Sequence, residues 1–106
     1  MEIFIFARFH AREGHEAQLE ATIREVGVPT REEPGCLFVL GFQSIHDPRL
    51  FFVHSRWKDE AAFERHSGLP HTVRFLERIR LLIDHPLENV SRTRLIENHP
   101  PSPAEH

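Results

Sequence analysis

The chain has 106 residues, with 13 basic and 16 acidic side chains and a formal net charge of −3. That length predicts one domain with its own core, and the charge balance provides no basic surface for binding nucleic acid or an anionic membrane. No apolar run approaches the roughly 18 residues that a membrane span requires; the single cysteine, Cys36, excludes an internal disulfide and predicts a reducing, cytoplasmic setting.

Six elements are predicted, in the order β-α-β-β-α-β. Residues 3–10 are rich in Ile and Phe and predict the first strand. The first helix is predicted from about residue 14 to residue 26, where Leu19 and Ile23 lie on one face. Pro29 is expected to lie beyond its end, because proline breaks helices and marks the connecting segment.

The next two strands predict a hairpin. They cover residues 36–45 and 50–57, and the turn between them is predicted over residues 46–49. Pro48 restricts φ to a value that suits a type I turn. The two strands are therefore expected to be antiparallel neighbours in the sheet.

The second helical region is predicted in two parts. Asp59 is the expected N-cap of the first part. The helix cannot continue through Ser67-Gly68-Leu69-Pro70, because proline is tolerated only in the first turn of a helix, so it is predicted to restart at Pro70. The restarted helix is expected to end near Pro86 and to bury Val73, Leu76, Ile79 and Ile83.

A last strand is predicted over residues 87–96, and it completes a domain of residues 1–97. Residues 98–106 form a Pro-rich tail that is expected to be disordered or to cross a neighbouring subunit. The element order is typical of an α+β, ferredoxin-like fold, in which an antiparallel sheet carries its helices on one face.

Each long strand carries large apolar side chains on both faces, since neighbouring residues point to opposite sides. In the third strand, for example, Phe51, Val53 and Trp57 oppose Leu50 and Phe52. Six such side chains left in water would forgo about 9–18 kcal/mol, at about 1.5–3 kcal/mol each. A domain has a net stability of only about 5–15 kcal/mol. The face without helices is therefore predicted to be covered in a homodimer.

The segment around Trp57 predicts a pocket. Trp57 is interpreted either as a wall that stacks on an aromatic substrate or as a core residue, and Val53 lies on the same side of its strand. Phe63 and His66 are three residues apart on a helix and therefore neighbours. His66 is a candidate general base, or alternatively a helix cap. His71 is a candidate partner for a substrate oxygen, or alternatively a surface residue.

Arg8 has two alternative roles, as a clamp for an anionic substrate or as a member of an interface ion pair. No metal site is predicted, because His66 and His71 are five residues apart across a helix break and no third ligand is evident. The charged run at residues 31–33 is expected to be solvated.

Five short sequence motifs follow one another in a recognisable order and spacing: ARF at 7–9, EPGCL at 33–37, RWKDE at 56–60, AAFERH at 61–66 and PH at 70–71. Together they resemble the antibiotic biosynthesis monooxygenase (ABM) domain family of small dimeric α+β barrels. The resemblance implies a pocket between sheet and helices and a sheet-to-sheet dimer. It also implies oxidation of a phenol or quinol by molecular oxygen with no metal or flavin cofactor, through deprotonation of the substrate and electron transfer to oxygen.

The match is incomplete at the site. Trp57 corresponds to the tryptophan of the polyketide-oxidising members, but Val53 and Phe63 stand where those members have asparagine and tyrosine. Haem-degrading relatives have a histidine where this chain has Ser67. They also have an asparagine on the first strand, whereas the predicted first strand of this chain contains no asparagine. Haem degradation is therefore not expected.

The leading hypothesis is a cofactor-independent monooxygenase acting on a small phenol, quinol or enolisable aromatic. Val53, Phe63 and Arg8 are the candidate substrate-binding residues, and Trp57, His66 and His71 are the candidate catalytic ones. Two alternatives remain, a cofactor-free isomerase or tautomerase and a non-catalytic, dimeric ligand-binding or stress-associated domain.

Overall fold

The computed structural model describes residues 1–87 and 90–99 of the chain. The α+β, ferredoxin-like fold is confirmed. No helix in the described part of the chain combines the length and the apolar character needed to cross a membrane. The predicted tail lies outside the described residues from position 100 onward. The elements are β1 Ile3–His10, α1 Glu16–Arg31, β2 Cys36–Gln43, β3 Leu50–Trp57, α2 Glu60–Ser67, α3 Pro70–Ile79 and β4 Val90–Thr93.

The four strands form one antiparallel sheet in the order β2-β3-β1-β4. The turn of the β2–β3 hairpin lies one residue later than predicted, because the amide of Leu50 donates to the carbonyl of Asp47 at 3.0 Å. The shift places Pro48 at the second position of the turn, where a type I turn favours proline. β2 ends at Gln43, two residues before its predicted end.

β4 is shorter than the predicted strand. It pairs with β1 only from Phe4 to Ala7, and Thr93 is the partner of Phe4. β1 begins at Ile3, so residues beyond Thr93 have almost no further strand to pair with. Positions 88 and 89 of the predicted strand lie outside the described residues.

α1 is longer than predicted and contains Pro29 inside its last turns. Proline in a helix costs about 3 kcal/mol, so the prediction ended the helix too early. The last turn is retained because it packs against the rest of the protein, with Gly27 and Thr30 buried. The Thr30 hydroxyl also donates to the carbonyl of Val26 at 2.6 Å.

The break between α2 and α3 is confirmed. Asp59 caps α2 by accepting a hydrogen bond from the amide of Ala62 at 2.9 Å. α3 starts at Pro70 and ends at Ile79, well before the predicted end near Pro86.

The predicted core face of α3 is partly wrong. Ile79 and Ile83 are buried, as expected, but Val73 is 41% exposed and Thr72 takes the buried position instead. Ile83 follows the helix and bridges to Ala11 at the end of β1. Residues 72, 75, 76 and 79 form the inward stripe at the spacing of one helix face, which leaves Val73 outside it.

Two groups of buried residues form the core on the helix side of the sheet. One contains Phe9, Leu19, Phe51, Ile79 and Ile83. The other contains Ile3, Ile5, Trp57, Ala62 and Phe63. The predicted alternation of β3 is confirmed, since Phe51, Ser55 and Trp57 are buried while Phe52 is exposed on the other face.

The opposite face of the sheet, which we call the open face, carries no helix among the described residues. Phe6, Leu40, Phe42 and Phe52 lie on it and are 38–50% exposed. Strand register places them together, with Phe6 and Leu40 both opposite His54 and Phe42 opposite Phe52.

Candidate functional site

A cavity of about 650 Å³ lies between the sheet and the helices, and residues of both core groups line it. Its volume is in the range of small-molecule sites. The sheet contributes mostly apolar side chains, and the helices add aromatic, hydroxyl and imidazole groups. The wall residues used below are Val53, Ser55, Trp57, Phe63, His66, Thr72 and Arg92.

Three rings form an aromatic wall at one end of the cavity. Trp57 is fully buried, and its indole N–H donates to the Ser55 hydroxyl at 2.9 Å. The Trp57 ring centroid lies 4.7 Å from that of His66 and 5.8 Å from that of Phe63. Trp57 is therefore both a core residue and a cavity wall, so the two interpretations of it are compatible.

A buried carboxylate holds His66 in place. Oε2 of Glu33 lies 2.7 Å from Nδ1 of His66 and 2.6 Å from Nε2 of His71, and the Glu33 side chain is only 7% exposed. Because a carboxylate oxygen only accepts hydrogen bonds, the two ring nitrogens that face it carry protons. In neutral His66 the remaining nitrogen, Nε2, is then unprotonated and able to accept a proton.

Three separate segments bring this cluster together. Glu33 lies between α1 and β2, His66 lies in the last turn of α2 and His71 in the first turn of α3. Because the helical region is interrupted between α2 and α3, both imidazoles reach the same oxygen. The Thr72 hydroxyl lies 3.3 Å from Nδ1 of His66 and is also buried.

Gly35 positions the segment that carries Glu33. Its φ of +91° lies in the left-handed region, and a Cβ at this position would lie 2.7 Å from Cβ of Ala62 on α2. The Gly35 carbonyl also accepts a hydrogen bond from the amide of Lys58 at 2.9 Å. Only glycine allows this close approach of the segment to α2.

The charged run at residues 31–33 was expected to be solvated, and this prediction is wrong for Glu33. Arg31 and Glu32 are exposed, whereas Glu33 turns inward to the two histidines. Its position directly before Pro34-Gly35 was the available signal, since those residues turn the chain immediately after it.

The structure separates the other predicted site residues. Val53, Trp57, Phe63 and His66 line the cavity together. His71 does not; it contacts Glu33 and lines a smaller cleft of about 180 Å³ beside α1 and α3.

Arg8 lies on the open face opposite Phe52, on the other side of the sheet. Contrary to its assignment as a substrate-binding residue, Arg8 does not line the cavity of its own subunit. The alternative role of Arg8 at a subunit interface stays a prediction.

Arg92 on β4 is a cation that lines the cavity. Its guanidinium carbon lies 5.0 Å from the centroid of the Phe63 ring. Hydrogen bonds to Glu64 and Glu60 raise the pKa of Arg92 above its ordinary value. The sequence indicated no role for Arg92, because nothing local links it to Phe63, 29 positions earlier.

Comparison with known proteins concerns the family and the fold. The family model described as antibiotic biosynthesis monooxygenase matches residues 2–78. The Pseudomonas aeruginosa protein PA3566 has a crystal structure with 34% identity and a TM-score of 0.76, and the match covers 89% of this chain and 94% of that one.

Two further structures show the same fold at lower identity. Rv0793 from Mycobacterium tuberculosis is 24% identical with a TM-score of 0.80, and the match covers 96% of this chain and all of that one (100%). A crystal structure of an antibiotic biosynthesis monooxygenase is 23% identical with a TM-score of 0.83, and the match covers 90% and 99% of the two chains. No curated protein matches the chain.

Proposed function

This chain belongs to the antibiotic biosynthesis monooxygenase family, and from that membership we propose that it oxidises a small phenol, quinol or enolisable aromatic with molecular oxygen and without a cofactor. One observation carries the proposal. His66 lines an apolar cavity beside Trp57, and its Nδ1 is held by the buried carboxylate of Glu33 at 2.7 Å.

In the proposed reaction, Nε2 of His66 takes the proton from the substrate hydroxyl. Glu33 keeps the imidazole in the tautomer that can do so and stabilises the cation that forms. The resulting substrate anion passes an electron to dioxygen. A quinol and one dioxygen give a hydroxyquinone and one water, so all the electrons come from the substrate and no external reductant is needed.

The cavity walls support a flat, largely apolar substrate. Val53 and Phe63 offer no hydrogen bond, so orientation depends on stacking against Trp57 and Phe63 and on the proton-accepting nitrogen of His66. Arg92 packs its guanidinium against Phe63 at the same wall, where Glu60 and Glu64 already pair with its charge.

We also propose that the protein is a homodimer through the open face. His54 lies at the centre of that face, where its ring stacks on Phe6 at 4.4 Å and meets Phe38 edge-on at 5.2 Å. Its Nε2 is buried and has no hydrogen-bond partner among the described residues. A second copy of the sheet would cover the apolar side chains and supply polar partners at this point.

Oxygen uptake by metal-free protein with a panel of hydroquinones tests the proposed reaction. We expect turnover by the wild type to fall by about 10²–10⁴-fold in His66→Ala, the usual contribution of a general base. Glu33→Gln should also slow the reaction, because it removes the charge that stabilises the imidazolium. His46→Ala, in the exposed β2–β3 turn, is the matched control. Wild-type rates equal to those of His66→Ala across the panel would refute the proposal.

A cofactor-free isomerase is the second candidate, because a carboxylate-held imidazole can move a proton between two carbon atoms without oxygen. Turnover of enolisable ketones under anaerobic conditions would favour it over the oxidation. Ligand-induced thermal stabilisation with no product under either condition would favour a binding domain.

A further inference from the structure

We propose that Glu33, His66 and His71 form a binding site for a divalent transition-metal ion of the zinc type. One ligand atom from each of the three side chains lies within 4.8 Å of the other two. Both imidazole nitrogens are in direct contact with the same oxygen, Oε2 of Glu33. Three potential donors from three chain segments therefore converge on one point.

The chemistry of the donors selects the class of ion. Two imidazoles and one carboxylate form a ligand set typical of zinc sites that keep a fourth position open. Magnesium and calcium prefer oxygen ligands only, so they suit this set poorly.

Two of the three distances between ligand atoms require only a small adjustment. Ligands about 2.1 Å from a tetrahedral ion are about 3.4 Å apart. Each nitrogen–oxygen contact, now 2.6–2.7 Å, would lengthen by less than about 1 Å.

The site is accessible without passing through the main cavity. His71 borders the smaller cleft of about 180 Å³, together with Thr22, Pro29 and Arg74. Side-chain exposure is 19% for His71 and 15% for His66. An ion can therefore approach from the cleft while the aromatic wall stays in place.

Metal binding has a consequence for the base, and this step rests on the proposed function. An ion on Nδ1 of His66 leaves the ring proton on Nε2, because a neutral imidazole carries one proton. Nε2 then cannot take a proton from a substrate. The metal-bound and base-competent states exclude each other, so the ion acts as an inhibitor of proton transfer.

Titration of metal-free wild-type protein tests the site. Zn²⁺ binding is measured by calorimetry and Co²⁺ binding by visible absorption, with Mg²⁺ for comparison. We expect one Zn²⁺ or Co²⁺ ion per subunit and much weaker binding of Mg²⁺. Affinity should fall at least about 10-fold in Glu33→Gln and in His71→Gln, and stay unchanged in His46→Gln, which controls for surface histidines.

Circular dichroism establishes that each variant is folded, and His66→Gln replaces any variant that is not. Absence of saturable Zn²⁺ and Co²⁺ binding by the wild type would overturn the site, as would equal affinity in the folded ligand variants. These readouts need no substrate, so lack of quinol oxidation leaves them intact. Where the enzyme is active, oxygen uptake unaffected by saturating Zn²⁺ would overturn the inhibitory step alone.

Discussion

At the scale of single residues, the Glu33 carboxylate determines which nitrogen of His66 can accept a proton. The two residues are 33 positions apart and touch at 2.7 Å. A charged run beside an exposed helix end ordinarily indicates solvated side chains, and the neighbours of Glu33 follow that rule. Sequence periodicity carries no information about this contact between distant residues, because the contact depends on how the chain turns at Gly35 and again at Gly68.

A second histidine, His10, bridges two carboxylates at the other end of the sheet. Its Nδ1 lies 2.7 Å from Asp84 and its Nε2 lies 3.1 Å from Asp47. The hydrogen bond to Asp84 is the main cause that raises the pKa of His10 above its ordinary 6.5. Hydrogen bonds from His85 and then from His10 lower the pKa of Asp84 to about 2.

This arrangement predicts a pH-dependent stability. A raised folded-state pKa means that the contribution of His10 is complete below about pH 6.5 and is lost as the pH rises through the folded value. A lowered folded-state pKa means that the contribution of Asp84 is present above about pH 4 and is lost as the pH falls toward 2. The stabilising interaction should therefore be strongest between about pH 4 and 6.5.

Urea unfolding of wild type and His10→Gln across this range measures the effect. The difference in the free energy of unfolding should be larger at pH 5.5 than at pH 8.5. His46→Gln, in the exposed turn, should show no such change. An equal difference for His10→Gln at both pH values would contradict the prediction.

At the scale of elements, the break between α2 and α3 divides one helical region into two helices, each of which contributes a histidine to the contact with Glu33. Gly68 and Pro70 were sufficient to predict it, because both act on the local backbone. The break allows α3 to start in a new direction, so that His71 contacts the carboxylate that also holds His66.

Comparing alanine substitutions at Gly35 and Gly14 measures how much the close approach of Gly35 to α2 affects stability. Both have positive φ, +91° and +83°, but only at Gly35 would an added Cβ meet another element, at 2.7 Å from Cβ of Ala62. Gly14→Ala should cost about 1–2 kcal/mol, from backbone strain alone. Gly35→Ala should cost a further 1–3 kcal/mol or so from overpacking against α2.

Chemical denaturation of the two variants tests this prediction, with Gly14→Ala as the matched control for φ. The Gly35→Ala change should also weaken any activity that depends on Glu33, because it displaces the segment that carries that residue. Equal stability losses in the two variants would show that the contact with α2 has no energetic importance.

At the scale of the whole molecule, the open face presents a broad apolar surface to solvent. Phe6, Leu40 and Phe42 are each about half exposed there. Exposed apolar patches on one face of a sheet are typical of interfaces between subunits. The proposed homodimer is the simplest way to remove this surface from water.

Phe6→Lys should therefore convert the protein to a monomer, because it places a charge at the centre of the proposed interface, in stacking contact with His54. Sedimentation or light scattering at micromolar concentration measures the change. Val28→Lys, at a residue of α1 that is 60% exposed, should leave the dimer intact. A monomeric wild type would contradict the proposal.

The sequence by itself determined the order of elements, the two-faced strands, the Asp59 cap and the helix break. It also placed Trp57, Phe63 and His66 near one another and indicated the family. These features depend on side-chain periodicity and local backbone preferences, which act over a few residues.

Only the tertiary structure decided which distant groups meet. It joined Glu33 to both histidines, placed Arg92 at the cavity and Arg8 on the opposite face, and extended α1 through Pro29. The physical reason is that packing between elements outweighs local preference, and the contacts it creates link residues that are dozens of positions apart.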